Sequence, residues 1–207
     1  MLKPCYCTQA LRGPAHSKNT RGVAVCIAGG PSLTQADVTR AEASGATCFT
    51  INNAYQLMQR PQTQYACDAR WWRRHYQHVT AWAKFSLEKT GLYDVQQLEN
   101  GGVEGLSDEW PVLRNGKNSG YQAINLAYLL GYKRIVLLGY DMQATGGKLH
   151  WHEDHPGNNP NASMFDKWQR YFSRLSRELK LRGVECVNAT RTTALECFPR
   201  LPLEGVL

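Results

Sequence analysis

Residues 118–142 read NSGYQAINLAYLLGYKRIVLLGYDM. Two periodicities meet in this stretch. Ile124, Leu126, Ala127, Leu129 and Leu130 recur at helical spacing, which predicts a helix over 118–132. KRIVLLGYDM, at 133–142, is a near-continuous apolar run and reads as a strand covered on both faces. A helix leading straight into such a strand is half of a βαβ unit.

The same alternation extends in both directions. GVAVCIAG (22–29) reads as a strand, and 34–45 as a helix with Leu33, Val38 and Ala41 on its apolar side and Gly45 as its stop. ATCFTIN (46–52) is a second strand, and AYQLMQRP a short helix ended by Pro61. TQYACD (63–68) is a third strand, and 69–82 is helical. Residues 84–117 carry several glycines and no clear period, 162–183 form a long amphipathic helix, and VECVNAT (184–190) is a last strand. The pattern predicts an α/β protein, a Rossmann-like three-layer sandwich around a mostly parallel sheet.

The chain has 207 residues, 43% of them hydrophobic, which suits one core. Residues 22–207 are expected to form a single domain, and the polar, turn-rich residues 1–21 a flexible N-terminal segment. No stretch approaches the roughly 20 apolar residues of a membrane span, and no apolar block follows the first charges as in a secretory signal. Seven cysteines are scattered singly. Cys26, Cys48, Cys67 and Cys186 sit in apolar runs and read as small buried hydrophobes of a reducing cytoplasm. The net charge of +7 suits an anionic partner: a nucleotide, a phosphate or a nucleic acid.

In a parallel sheet, ligands bind beyond the carboxyl ends of the strands. The segments there are GGPSL, INN, CDARWW, GYDM and VNAT. Gly29 and Gly30 end one strand just before a helix, with Ser32 or Thr34 placed to cap it. Bare backbone beside free helix N–H groups favours a phosphate or carboxylate. A tight turn with no ligand accounts for the same residues. The spacing is not Gly-x-Gly-x-x-Gly, and no Gly-Lys-Ser/Thr follows, so neither a dinucleotide nor a P-loop fingerprint is present.

Three stretches together carry a resemblance: IAGGPSL, TINNAY and the 118–142 segment. They resemble a superfamily that includes the small bacterial sialyltransferases of glycosyltransferase family 42 and the archaeal 6-hydroxymethylpterin diphosphokinase-like proteins. CDARWW and HWHEDHP also resemble segments of small phage-encoded proteins. The resemblance covers about half of the chain and implies a GT-A-like variant of the Rossmann-like fold. It implies nucleotide-sugar binding by Gly29, Gly30, Pro31 and Ser32, by Asn52, and by Asn118, Ser119 and Gly120, with Asp141 closing the Gly-x-Asp unit. Asn53 and Asp68, at strand ends, join this set as polar neighbours. Gly29 departs from the Asn that the sialyltransferases carry in the turn.

KLHWHEDHPGNNPN (148–161) holds three of the six histidines, His150, His152 and His155. Histidine exchanges protons near neutral pH. In the resembled family a histidine after Gly-x-Asp is the base, which implies His152 or His155 here, with Asp154 to orient it. A metal is the rival reading for these residues. No metal is required by the glycosyltransferase reading, whereas Mg²⁺ or Mn²⁺ held near Asp68 and Asp141 would suit diphosphoryl transfer. The run CDARWWRRHYQH mixes Trp71 and Trp72 with arginines. It fits base stacking, and better an ordinary helix with tryptophan inside and arginine outside.

These readings converge on a nucleotide-dependent transferase, foremost a glycosyltransferase using a nucleotide sugar, in the cytoplasm, with no membrane partner and the oligomeric state open. An Mg²⁺-dependent diphosphokinase or nucleotidyl transferase, and a non-catalytic phage nucleic-acid-binding module, are the alternatives.

Overall fold

A computed structural model describes residues 21–152 and 162–207; Asp154, His155 and the N-terminal segment through residue 20 lie outside the described residues. The elements are, in order, β1 (Arg21–Ile27), α1 (Gln35–Ala43), β2 (Thr47–Ile51), a 3-10 turn (Asn52–Leu57), β3 (Thr63–Tyr65), α2 (Ala69–His75), a second 3-10 turn (Tyr76–His78), β4 (Ala83–Ser86), β5 (Gln96–Gln97), β6 (Glu99–Asn100), β7 (Val112–Leu113), α3 (Ser119–Leu129), β8 (Tyr132–Leu138), α4 (Ala162–Leu181) and β9 (Glu185–Asn188), with a third 3-10 turn at Leu203–Gly205.

Seven strands form one sheet in the order β5-β4-β3-β2-β1-β8-β9, and every neighbouring pair is parallel. β6 and β7 make a small separate pair. Alternate residues of the central strands serve opposite layers. Ala24 and Cys26 of β1, with Ile135 and Leu137 of β8, pack with Ile124 of α3 and Phe172 and Leu175 of α4. Val25, Ile27, Val136 and Leu138 pack with Val38 and Ala41 of α1 and with Leu203 and Val206 near the C-terminus. This double cover is why the strands read as continuous apolar runs rather than alternating ones. The fold is the expected Rossmann-like three-layer α/β sandwich.

Several boundaries differ from the sequence expectation. The strand at 133–142 ends at Leu138, because Gly139 takes a positive φ of 70° and turns the chain. The helix expected over 69–82 stops at His75, and its last residues pass through a 3-10 turn toward β4. The irregular region 84–117 contributes most of β4 together with β5, β6 and β7, the last three only two residues long and too short to show a period. The outer edge of β9 is covered by the C-terminal segment: Asn188 N–H donates to Pro199 O at 2.8 Å. No described helix is long and apolar enough to cross a membrane.

The five described cysteines are free thiols, three of them buried. Burial pushes the thiols of Cys48 and Cys67 up to about 12. They pack as hydrophobes, as expected from their apolar surroundings.

Phe172 is the aromatic hub of the α3/α4 layer. It is fully buried, with the rings of Tyr121, Tyr140 and Phe198 edge-on at 5.4, 6.1 and 6.3 Å. Phe172→Ala is expected to cost about 3–5 kcal/mol. Urea unfolding checks this: the midpoint should fall with the slope unchanged.

Candidate functional site

From β1 the chain winds outward to β5 on one side, while β8 and β9 lie on the other. The order therefore reverses between β1 and β8, and at such a reversal the loops diverge and leave a crevice. Here the crevice is a cleft of about 500 Å³. Gly29 and Gly30 line it from the β1 side, Asn52, Asn53 and Asp68 from beyond β2 and β3, and Asn118, Ser119 and Gly120 from the start of α3. Asp141 and His152 line it from the segment after β8. Pro31 and Ser32 do not.

Ser32 has another task. Its backbone N–H donates to Asp141 Oδ2 at 2.9 Å and its hydroxyl to Asp141 Oδ1 at 2.9 Å. Thr145 donates to Asp141 Oδ2 at 3.0 Å. Asp141 is 1% exposed and binds the turn after β1 to the turn after β8. Burial raises its carboxyl above the ordinary value of 3.8, against the lowering effect of the Ser32 and Thr145 hydrogen bonds. Three of its roughly four lone-pair sites are taken by these hydrogen bonds, which leaves little for a metal ion.

The same crossing explains Gly30. Its N–H donates to Gly139 O at 2.8 Å, and a Cβ there would overlap Asp141 Oδ1 and Gly139 O. A Cβ on Gly139 would stand 2.6 Å from Ala28 O. The backbone is bare at Gly30 because two loops cross there; of the two readings the turn allowed, a ligand or close packing, packing accounts for this glycine. Gly29 is different: a Cβ would meet only His150 Nδ1 at 3.6 Å and His152 Nε2 at 3.7 Å, ordinary contacts.

Of the two helix N-termini that follow these turns, that of α3 lines the cleft and that of α1 does not. α1 is closed by a capping box: Thr34, rather than Ser32, is its N-cap and pairs reciprocally with Asp37. Arg191 adds a two-pronged ion pair to Asp37 at 2.9–3.1 Å. Burial works against the Asp37 carboxylate, yet Arg191 and Thr34 hold it below the ordinary value. A second cavity of about 400 Å³ surrounds this ion pair, with Arg200 in its wall. Arg200 is committed to the carbonyls of Thr190 and Arg191. At α3, Asn118 caps the N–H of Tyr121 at 3.1 Å. The amides of Ser119 and Gly120, the first of the helix, donate to no described residue. Lys117, exposed, precedes them in the same wall.

Strain is concentrated here. Among the described residues, Asn52, Lys117 and Met142 are the non-glycine residues with positive φ, at 50°, 53° and 50°, and all three line the cleft. Each left-handed residue costs roughly 1–2 kcal/mol and persists only where its surroundings enforce it. Fully buried Gln64 holds Asn52 by donating to its carbonyl at 3.0 Å, and Asn115 Oδ1 accepts from Lys117 N–H at 2.9 Å. Asn52 Oδ1 is itself buried with no hydrogen-bond partner among the described residues.

The loop bearing the histidines folds back on the glycine turn, where Trp151 N–H donates to Gly29 O at 3.2 Å. His150 and His152 stack with centroids 5.4 Å apart. Asn53 lies between His152 Nδ1, at 3.4 Å, and Trp71 Nε1, at 2.8 Å. His155 and Asp154 lie outside the described residues, as does part of the proposed metal cluster. Among the described residues no group of three or more His, Cys, Asp or Glu side chains is arranged to hold a metal.

Sequence reasoning missed part of the wall. On α2, Trp72 is buried and Arg70, Arg73 and Arg74 are exposed, as an amphipathic helix requires. Trp71, however, stands in the cleft with Arg70. Trp168, four residues before buried Phe172 on α4, is only partly buried and lines the cleft with Met164 and Phe165. Lys117, immediately before the Asn118 cap, was legible as a cation beside a helix start and was passed over.

The raised carboxyl of Asp141 makes a pH prediction. Its folded-state value lies above the unfolded one, so its contribution to stability is most favourable below the ordinary value of 3.8. That contribution declines as pH rises from there through the folded-state value. Asp141→Asn removes the titration. Urea stability of the native chain minus that of the variant is therefore expected to fall across this window and to be flat above it.

The chain matches no family model, no curated protein and no solved structure.

Proposed function

We propose that this cleft binds a nucleotide and that the protein is a nucleotide-dependent transferase, foremost a glycosyltransferase drawing on a nucleotide-sugar donor. The observation that carries the reading is that Gly30, Ser119 and His152 share one hollow at the β1/β8 reversal. The chemistry of the walls supports the same ligand. The free amides of Ser119 and Gly120, with Lys117 beside them, favour phosphate oxygens. Asn52 Oδ1 needs a donor, which a ribose hydroxyl or a base N–H supplies. Trp71 and Trp168 offer rings to a base or sugar. A histidine of the 150–155 loop is the group suited to move the acceptor's proton.

Thermal denaturation with CMP, UDP, GDP and ATP, with and without Mg²⁺, separates the classes. At a hundredfold excess over Kd a ligand adds about 2.7 kcal/mol. For a chain of this size that is a rise in Tm of roughly 5–10 °C. A metal-independent rise with CMP or UDP is expected. A rise with ATP that needs Mg²⁺ would point to diphosphoryl transfer, and no response to any nucleotide would overturn the proposal.

A second prediction separates binding from folding. Lys117→Gly removes a cation and also relieves a left-handed residue. Tm without ligand is expected to be unchanged or slightly higher, while nucleotide affinity falls roughly tenfold, about 1.4 kcal/mol. Isothermal titration and a ligand-free melt check the two halves.

A further inference from the structure

The bridge from Trp71 through Asn53 to His152 decides which nitrogen of His152 carries its proton. An indole N–H only donates. Trp71 Nε1 lies 2.8 Å from Asn53 Oδ1, so the oxygen of the Asn53 amide is turned toward α2. The amide nitrogen then faces the histidine loop, 3.4 Å from His152 Nδ1. An amide NH₂ also only donates, so Nδ1 has to accept. In the neutral ring the proton is thereby left on Nε2.

Each end of the bridge is fixed by its own packing. Asn53 is buried, at 3% exposure, in the 3-10 turn after β2. The Trp71 ring lies flat on His75, with centroids 4.5 Å apart and planes at 14°, and edge-on to Trp72 at 5.1 Å. Buried Tyr55 contacts both Trp71 and His75, and its hydroxyl is 3.1 Å from His75 Nδ1. The indole can swing away only by breaking this stack. On the other side His152 is set by His150, stacked at 5.4 Å, and by Trp151, edge-on at 5.0 Å.

We propose that Asn53, aimed by Trp71, is a positioning residue that holds His152 in its Nε2-protonated tautomer, so that His152 meets the cleft as a hydrogen-bond donor. Nε2 would stand 3.7 Å from a Cβ at Gly29, and both residues line the cleft. A donor there suits an anionic oxygen and does not accept a proton from an acceptor hydroxyl. His152 thus steadies the phosphate side of the ligand, and the base role passes to another group, with His155 the remaining candidate in the sequence. The statement about phosphate rests on the nucleotide reading of the cleft; the tautomer does not.

The test is ring-nitrogen NMR of the full chain, labelled at histidine and without ligand, at about pH 8, where a histidine of ordinary pKa is neutral. His152→Gln identifies the His152 signals. The native chain is expected to show Nε2 protonated and Nδ1 in the range of an unprotonated, hydrogen-bonded nitrogen. Asn53→Asp replaces the donor by an acceptor and should transfer the proton to Nδ1. Trp71→Phe keeps the stack but frees the amide to turn, and should give a mixture of tautomers. A native His152 with its proton on Nδ1, or an unchanged tautomer in either folded variant, would overturn the proposal. Should Asn53→Asp not fold, Trp71→Phe and the native spectrum still decide it. CMP added to the native chain then reads the dependent statement separately. A downfield movement of the Nε2–H proton is expected, and no movement despite a rise in Tm would remove the phosphate role while leaving both the tautomer and nucleotide binding intact.

Discussion

Two loops that leave neighbouring parallel strands have to cross here with no room for side chains. The turn after β1 and the turn after β8 touch backbone to backbone at Gly30 and Gly139, and the buried Asp141 carboxylate fastens one to the other through Ser32. The remaining site geometry follows from that crossing. It fixes how far the crevice opens and holds Gly29 outward as a floor. It also gives the segment after β8 a fixed starting direction, and Trp151 then returns that segment to the carbonyl of Gly29. A buried carboxylate is an expensive tie, tolerable because its oxygens accept three hydrogen bonds from described groups.

Around this knot the two helix starts differ. The helix that could have offered a second positive end, α1, is closed on itself by Thr34 and Asp37, and Arg191 neutralises the acid. The open helix end is therefore that of α3, with Lys117 beside it, while the flank beyond β2 and β3 mixes the amides of Asn52 and Asn53 and the Trp71 ring with the charges of Asp68 and Arg70.

The layers were legible because double burial writes itself as unbroken apolar runs in β1 and β8 and as a 3.6-residue period in α3. β5, β6 and β7 were not legible, since two residues cannot display a period and their pairing is dictated by the chain around them. The candidate site was half legible. Many of the residues after strands line one cleft, because parallel sheets oblige those loops to share a rim, whereas Pro31, Ser32 and the VNAT segment do not line it. Ser32 was assigned outward when its partner, Asp141, lies far along the chain, a pairing that local spacing cannot reveal. Lys117 and Met142 owe their left-handed backbone to the meeting of two loops, and no residue preference marks them beforehand. Trp71 and Trp168 each sit on a helix whose apolar side continues past the core, so the same pattern that signals packing also concealed a wall of the cleft.

The pairing of β1 with β8 has a consequence for how the chain is made. During synthesis the first five strands of the main sheet emerge with β1 as an open apolar edge, and the strand that covers it arrives only after β6, β7 and α3. Until then the nascent chain carries an unpaired, β-branched template of the kind that recruits other chains. Completion is a late, long-range event, so maturation should be slow for a protein of this length and dependent on protection at the ribosome.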